Sequence, residues 1–237
     1  MTPLKKPLII VFLILLFDQI LKVYIKTHYT LGESHPILGS WSYIFFIENE
    51  GMAFGWKFFG AYGKLMLSIF RILAAAGIFY YLFTLVKKGV RPGMIYAFSL
   101  IFAGAAGNII DSMFYGLIFT ESTLMAPAIF SPGNGYAGFL HGKVVDMLYF
   151  PLIDGYWPDW GIIPAGLRGD HFQFFRPVFN IADSSITVGV AILLLFQKRF
   201  FHPEKETRKE EKNSAESVQE SVIEATTEAE ASVSGKE

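Results

Sequence analysis

The residues best suited to chemistry in this sequence are aspartates set among apolar neighbours: Asp111 in Gly107-Asn108-Ile109-Ile110-Asp111, Asp146 in Val144-Val145-Asp146, and Asp183 in Phe179-Asn180-Ile181-Ala182-Asp183-Ser184-Ser185. An ionised carboxylate at a membrane boundary costs roughly 2.5 to 3.5 kcal/mol, so such acids need a partner or a task. Asn180 and Asp183 are three apart, which places both on one helical face, and Asn108 and Asp111 repeat that spacing. Two carboxylates held close together cannot both ionise. One keeps a proton, and the pair can then activate water as general base and general acid, the chemistry of an aspartyl protease dyad. A structural or proton-conducting polar cluster would use the same residues, and residue types alone weigh the two readings equally.

Other chemistries find less support. Ser184 and Ser185 have no histidine in their apolar run, and no serine sits in a nucleophile elbow near His141 or His171. Those two histidines are far apart in sequence and lack the close spacing of zinc ligands, so they read as loop or interfacial residues and no metal is expected. No cysteine is present, which excludes disulfides and thiolate catalysis. Nothing in the charge balance suggests nucleic acid.

The elements that must position the acids are apolar blocks. With 52% hydrophobic, 16% aromatic and only 17% charged residues, the 237-residue chain is too apolar for an ordinary soluble domain and reads as an integral membrane protein. Four spans are expected, at about 8–25, 65–86, 93–115 and 179–196. Asp18 and Lys22 interrupt the first run, which argues against a cleaved signal peptide. Lys5 and Lys6, the Lys87, Lys88 and Arg91 group, and Lys198 with Arg199 fall on one side of a four-span topology, so both termini are expected in the cytoplasm. The connections 28–64 and 116–178 then lie outside, and Asp18, Asp111 and Asp183 gather near the outer ends of helices; Asp146 is expected at a helix end as well. Trp41 to Asn49 alternates like a strand and turns at Glu50-Gly51, suggesting a small sheet on the membrane surface. The second connection is rich in proline, glycine and aromatics, including Tyr156, Trp157 and Trp160, and reads as loop with interfacial anchors. The net charge of −1 hides a mildly basic body behind a tail, 203–237, that holds ten acidic against five basic residues and reads as disordered.

Five blocks in order resemble the bacterial lipoprotein signal peptidase (signal peptidase II) family. Asp18-Gln19-Ile20-Leu21-Lys22 is similar to its DQxxK, Asn49-Glu50-Gly51-Met52-Ala53-Phe54 to its NxGxAF, and Gly104 to Asp111 to its GAxGNxxD. Val144-Val145-Asp146 and Phe179 to Ser184 resemble its VVD and FNxAD blocks. The resemblance implies an intramembrane aspartyl endopeptidase of the bacterial inner membrane that cuts diacylglyceryl-modified prolipoproteins just before the lipidated cysteine. It carries the catalytic pair onto Asp146 and Asp183, with Asp18, Lys22, Asn49, Gly51, Asn108, Asp111 and Asn180 as supporting or substrate-binding positions. No cofactor is implied. The expected partners are lipidated prolipoproteins and membrane lipids, and the expected state is a monomer.

The implied architecture is an all-α membrane protein of four transmembrane helices, with a small extracytoplasmic β-sheet element and a long extracytoplasmic loop. Its peptidase body would occupy 1–202 and the charged tail 203–237. Two departures stand out: Ser112 replaces the arginine that usually follows GNxxD, with Arg71 a candidate to supply the missing charge, and some thirty-four residues separate Asp111 from Asp146 where a short hairpin is usual. The small residues Ala103, Gly104 and Gly107 are expected to let the third helix pack closely. A small carrier or proton pathway using the same aspartates is the alternative, although no internal repeat supports a carrier. A scaffold whose outer loops bind a partner is a third.

Overall fold

The structure, a computed structural model, describes residues 4–50, 60–162, 164, 166 and 168–201. Three of its helices are long and apolar enough to cross a membrane. The first, α1 (Lys5–His28), is amphipathic in the inverted sense. Its buried stripe is Pro7, Val11, Asp18, Lys22, Ile25 and Lys26, at helical spacing, while Phe12, Phe17 and Ile20 are exposed. Apolar side chains outward and polar ones inward is the arrangement that lipid selects, because hydrocarbon solvates leucine and cannot solvate a charge.

Two strands follow, β1 (Ser34–Leu38) and β2 (Ser42–Asn49), the second where aromatic alternation predicts it. The second long helix is α2 (Gly60–Lys87). The third, α3 (Pro92–Ile110), opens on proline at its first position, where the missing N–H is no loss. It continues through a π-helical turn, Asp111–Tyr115, into the short α4 (Gly116–Ile118). Beyond lie β3 (Val144–Tyr149), β4 (Ile153–Tyr156), β5 (His171–Phe174), β6 (Val178–Phe179), α5 (Ile181–Leu195) and α6 (Gln197–Phe201). The chain divides into two compact units, Met1–Ala191 and Ile192–Glu237; the described part of the second is the end of α5 with α6.

The expected apolar helices with a small β-sheet element are present in part, as three long apolar helices and small antiparallel sheets. Among the described residues, six strands form an antiparallel four-stranded sheet, ordered β1-β2-β3-β6, and a separate hairpin of β4 and β5. Three of them, β3 to β5, and the first residue of β6 lie in the stretch read as loop. Asp146 sits on β3, opposite Ile47 of β2, and not at a helix end. The fourth apolar run forms a helix of 15 residues, shorter than the span expected at 179–196, because Phe179 is drawn with Val178 into the sheet against Leu148 and Tyr149 and the helix begins only at Ile181.

Strand alternation gives the sheet two faces. Phe46, Val145 and Met147 pack with Ile25, Tyr115, Phe119 and Ala128 in a buried core cluster between the sheet, the end of α1 and the long connection. Ile47, Asn49 and Asp146 belong to the opposite face. Rings of Trp41, Phe150, Phe179 and Phe175 touch in series and tie the sheet to the start of α5.

The small residues of α3 permit the closest packing in the helical layer. A Cβ at Gly104 would collide with the Ala182 carbonyl of α5, and one at Gly107 would lie 2.8 Å from Asp18 Oδ2. Gly77 of α2 has nothing within 4 Å of such an atom. Gly104→Ala is therefore expected to lower the thermal midpoint of the purified protein. Gly77→Ala should leave it unchanged or raise it, since alanine favours a helix interior by about 0.5–1 kcal/mol over glycine. Equal midpoints for the two variants would show that this contact does not limit stability.

Candidate active site

Polar residues of all five blocks meet around the start of α5. Lys22 is fully buried, with its Nζ 2.9 Å from Asp18 Oδ2, 2.7 Å from Asp111 Oδ2 and 2.9 Å from Asn108 Oδ1. Gln19 donates to Asp111 Oδ1 at 2.9 Å and to Asp18 Oδ2 at 3.1 Å, and the Tyr115 hydroxyl donates to Gln19 Oε1 at 3.2 Å. Asp18 Oδ1 accepts the Ala182 N–H at 2.9 Å, which places a carboxylate at the positive end of α5.

Asn180 and Asp183 form a reciprocal cap. Asn180 Oδ1 accepts the Asp183 N–H at 2.9 Å, and Asp183 Oδ2 accepts the Asn180 N–H at 3.4 Å, as in a capping box. Asn180 is thus the residue before the helix, not a member of its face. The cap leaves its amide nitrogen free to reach outward, and Nδ2 donates to Asp146 Oδ1 at 2.7 Å. It also lies 3.2 Å from Asn108 Oδ1 and 3.3 Å from the Val145 carbonyl. Asn108 Nδ2 in turn donates to Asp183 Oδ1 at 2.7 Å. Asn49 completes the set by donating to Asp146 Oδ2 at 3.2 Å.

Two kinds of carboxylate result. Both oxygens of Asp111 are engaged, Oδ2 by Lys22 and, at 3.4 Å, by the Val145 N–H, and Oδ1 by Gln19; the side chain is fully buried. Asp146 and Asp183 share Asn180, and their side-chain oxygens are held by neutral amides. Asp146 is 2% exposed, whereas Asp183 is half-buried. Its carboxyl is lifted from 3.8 to about 7, first because burial penalises the charged form and then because Asp183 is close by. Hydrogen bonds from Asn49 and Asn180 and the Lys22 charge act the other way. Arg71, on α2, lies within electrostatic reach of both Asp183 and Asp146.

Of the residues singled out in the sequence, Asp18, Lys22, Asn49, Asn108, Asp111, Asp146, Asn180 and Asp183 are joined in this network. Gly51 lies outside the described residues, as does the rest of its block after Glu50. Ser112 donates to the Asn108 carbonyl at 3.0 Å and accepts the Gly142 N–H through its own carbonyl, so it serves the backbone of the turn. His141 binds the Phe139 carbonyl and His171 pairs with Asp154. Sequence reasoning missed Gln19 and Tyr115. Gln19 stands inside the first block, beside Asp18, and that adjacency was the available signal.

Residues 10–199 match the family model described as Signal peptidase (SPase) II. A lipoprotein signal peptidase of Porphyromonas gingivalis (strain ATCC 33277) is 46% identical over 191 residues, covering 80% of this chain and 81% of that one. The lipoprotein signal peptidase of Amoebophilus asiaticus is 37% identical over 189 residues, 78% of this chain and 75% of its own. A solved structure of a bacterial membrane enzyme superposes with a TM-score of 0.53 at 24% identity, covering 82% of this chain and 88% of that one, and so shares the fold. With its family match running from the first helix to the last and its apolar helices built around buried acids, the chain belongs to the signal peptidase II family of bacterial membrane proteases.

Proposed function

We propose that this chain is an aspartyl endopeptidase of the bacterial cytoplasmic membrane, which removes signal peptides from diacylglyceryl-modified prolipoproteins by cutting before the lipidated cysteine. Asp146 and Asp183 are its dyad. The observation that carries the reading is the sharing of Asn180 by two carboxylates, one of them pushed up to about 7. The carrier alternative has no comparable support.

In this reading Asp146 holds the proton and donates a hydrogen bond to the scissile carbonyl. Asp183 accepts a proton from water as its oxygen attacks the carbonyl carbon, and a proton passes to the leaving nitrogen as the C–N bond breaks. Asn180 and Asn108 hold the two carboxylates in register, and Lys22 fixes Asn108. The membrane placement follows from lengths and charges. At about 1.5 Å per residue, the 15 residues of α5 span about 22 Å, less than a hydrocarbon core of about 30 Å. With four spans and both termini cytoplasmic, its Asp183 end lies just below the outer surface, where a lipid-anchored substrate enters sideways and water is within reach.

Three outcomes test this. Asp146→Asn and Asp183→Asn should each abolish cleavage of a lipidated prolipoprotein by purified protein, because an amide fills neither proton-transfer role. Asp111→Asn, whose contacts an amide partly preserves, should keep measurable turnover. The reverse pattern would move the dyad to Asp111 and Asp183.

Because Asp146 must be protonated to act as the acid, kcat should fall as pH rises through about 7, on a bell-shaped profile that belongs to the coupled pair. The linked stability runs in the same sense. A carboxyl whose pKa is raised by folding costs stability as pH climbs from about 4 to about 7, so Asp146→Asn should be more stable than wild type above pH 7 by a few kcal/mol, and not at pH 4. A kcat still rising at pH 9 would remove Asp146 from the acid's role.

The topology is open to a reporter assay. A fusion after Arg199 should read cytoplasmic and one inserted near Gly133 exterior; a cytoplasmic reading at Gly133 would put the dyad at the wrong surface.

A further inference from the structure

A second set of charges is buried beside the first, and the hydrolysis described above does not use it. Lys26 stands one turn beyond Lys22 on α1 and is likewise fully buried. Its Nζ pairs with Glu48 Oε1 and donates to Ser122 Oγ at 3.0 Å, and the Ser122 hydroxyl donates to the same Glu48 oxygen at 2.8 Å. Glu48 Oε2 has no hydrogen bond among the described residues, with Lys143 Nζ 3.5 Å away. Rings of Phe119 and Tyr136 flank the Lys26 ammonium, their centroids 5.6 and 5.0 Å from Nζ. The backbone closes over it where the Ala128 N–H donates to the Lys26 carbonyl and the Leu31 N–H to that of Thr123. Apart from Leu31, these covering residues belong to the connection that is so much longer here than a hairpin.

A buried ion pair of this kind fixes geometry, because moving either partner leaves an uncompensated charge in a medium of low dielectric. What it fixes is β2. Glu48 immediately precedes Asn49, whose amide reaches Asp146, and successive side chains of a strand point to opposite faces. Anchoring Glu48 on α1 therefore determines where Asn49 points on the other side. Lys22 does the corresponding work for Asp183 through Asn108. Two lysines four apart on one helix thus reach the two carboxylates of the dyad by separate routes.

We propose that the Lys26–Glu48–Ser122 cluster is a positioning device for peptide hydrolysis, which anchors β2 to α1 so that Asn49 is held on Asp146. The 119–136 part of the long connection is the seal that makes this anchor rigid. Lys26, Glu48 and Ser122 are positioning residues, since they act through Asn49 and touch no reacting atom. The proposal rests on the reading of Asp146 as a member of the dyad.

A double-mutant cycle tests it. Lys26→Met and Ser122→Ala are each made alone and with Asn49→Ala in the full chain, with Asp146→Asn in the same series, and kcat and KM are measured on a lipidated prolipoprotein. Misplacement of a catalytic group by about 1 Å can cost as much as 10²-fold, so Lys26→Met should lower kcat roughly tenfold or more with KM within about twofold. Ser122→Ala, which keeps both charges, should cost less. Combined with Asn49→Ala, neither should add further loss, because the anchor acts through a side chain already removed. Losses that multiply, or a folded Lys26→Met with wild-type kcat, would overturn the proposal. Should Lys26→Met fail to fold, the Ser122→Ala cycle decides by itself on the same criterion. Multiplying losses beside an inactive Asp146→Asn sink the anchor alone, whereas an active Asp146→Asn removes the dyad reading and the proposal with it.

Discussion

One buried ammonium sets the geometry on which the rest depends. Lys22 is fully buried, and its three acceptors come from α1, from α3 and from the π-helical turn that follows it. Removing it would strand Asp18 and Asp111 as unpaired buried carboxylates, a loss of about 3–5 kcal/mol. Its reach extends through those acceptors. Asp18 passes to the first amides of α5, and Asn108 passes to Asp183. Such contacts require α1, α3 and α5 to approach closely, which only the missing side chains of Gly104 and Gly107 allow. The glycines are thus a consequence of the ion cluster: helices drawn together by a charge need a surface on which to meet.

The helices alone would leave one carboxylate of the pair without a support. Asp146 is delivered by a strand, and the strand is held by the packing of its other face on Ile25, Tyr115 and Phe119. A sheet is a suitable carrier because its alternation separates the two tasks, apolar anchoring behind and polar display in front. The sheet also explains the shortness of α5. Val178 and Phe179 pair with β3, and Asn180, between that strand and α5, can only be a cap.

Much of this was legible in the sequence, for identifiable reasons. The long helices show as apolar blocks, since hydrocarbon demands them, and β2 shows as alternating aromatics. The N-x-x-D of Asn180 and Asp183 carries a cap signature as well as a helical spacing, and reading it only as spacing misplaced Asn180. Asp146 was assigned to a helix end because Val144 to Met147 are buried on both faces of β3, so the alternation that marks a half-exposed strand is missing. The short strands of the second connection were hidden by the prolines and glycines around them. Lys26, Glu48 and Ser122 could not have been matched, because a buried pair from distant segments leaves no periodic trace.

The division of labour between the acids comes down to which donors face them. Asp111 meets a cation directly, in a buried ion pair with Lys22. Asp146 meets only the amides of Asn49 and Asn180, which stabilise a carboxylate without cancelling its charge, so burial and the neighbouring Asp183 prevail and raise the carboxyl to about 7. Lys22 still acts on Asp146, but it is the smallest of the influences there. The asparagines are therefore insulation as much as scaffolding. They carry the position of the Lys22 cluster to Asp146 and Asp183 while withholding most of its charge; a lysine in direct contact with Asp146 would have placed the carboxyl as firmly and opposed the upward shift that burial gives it.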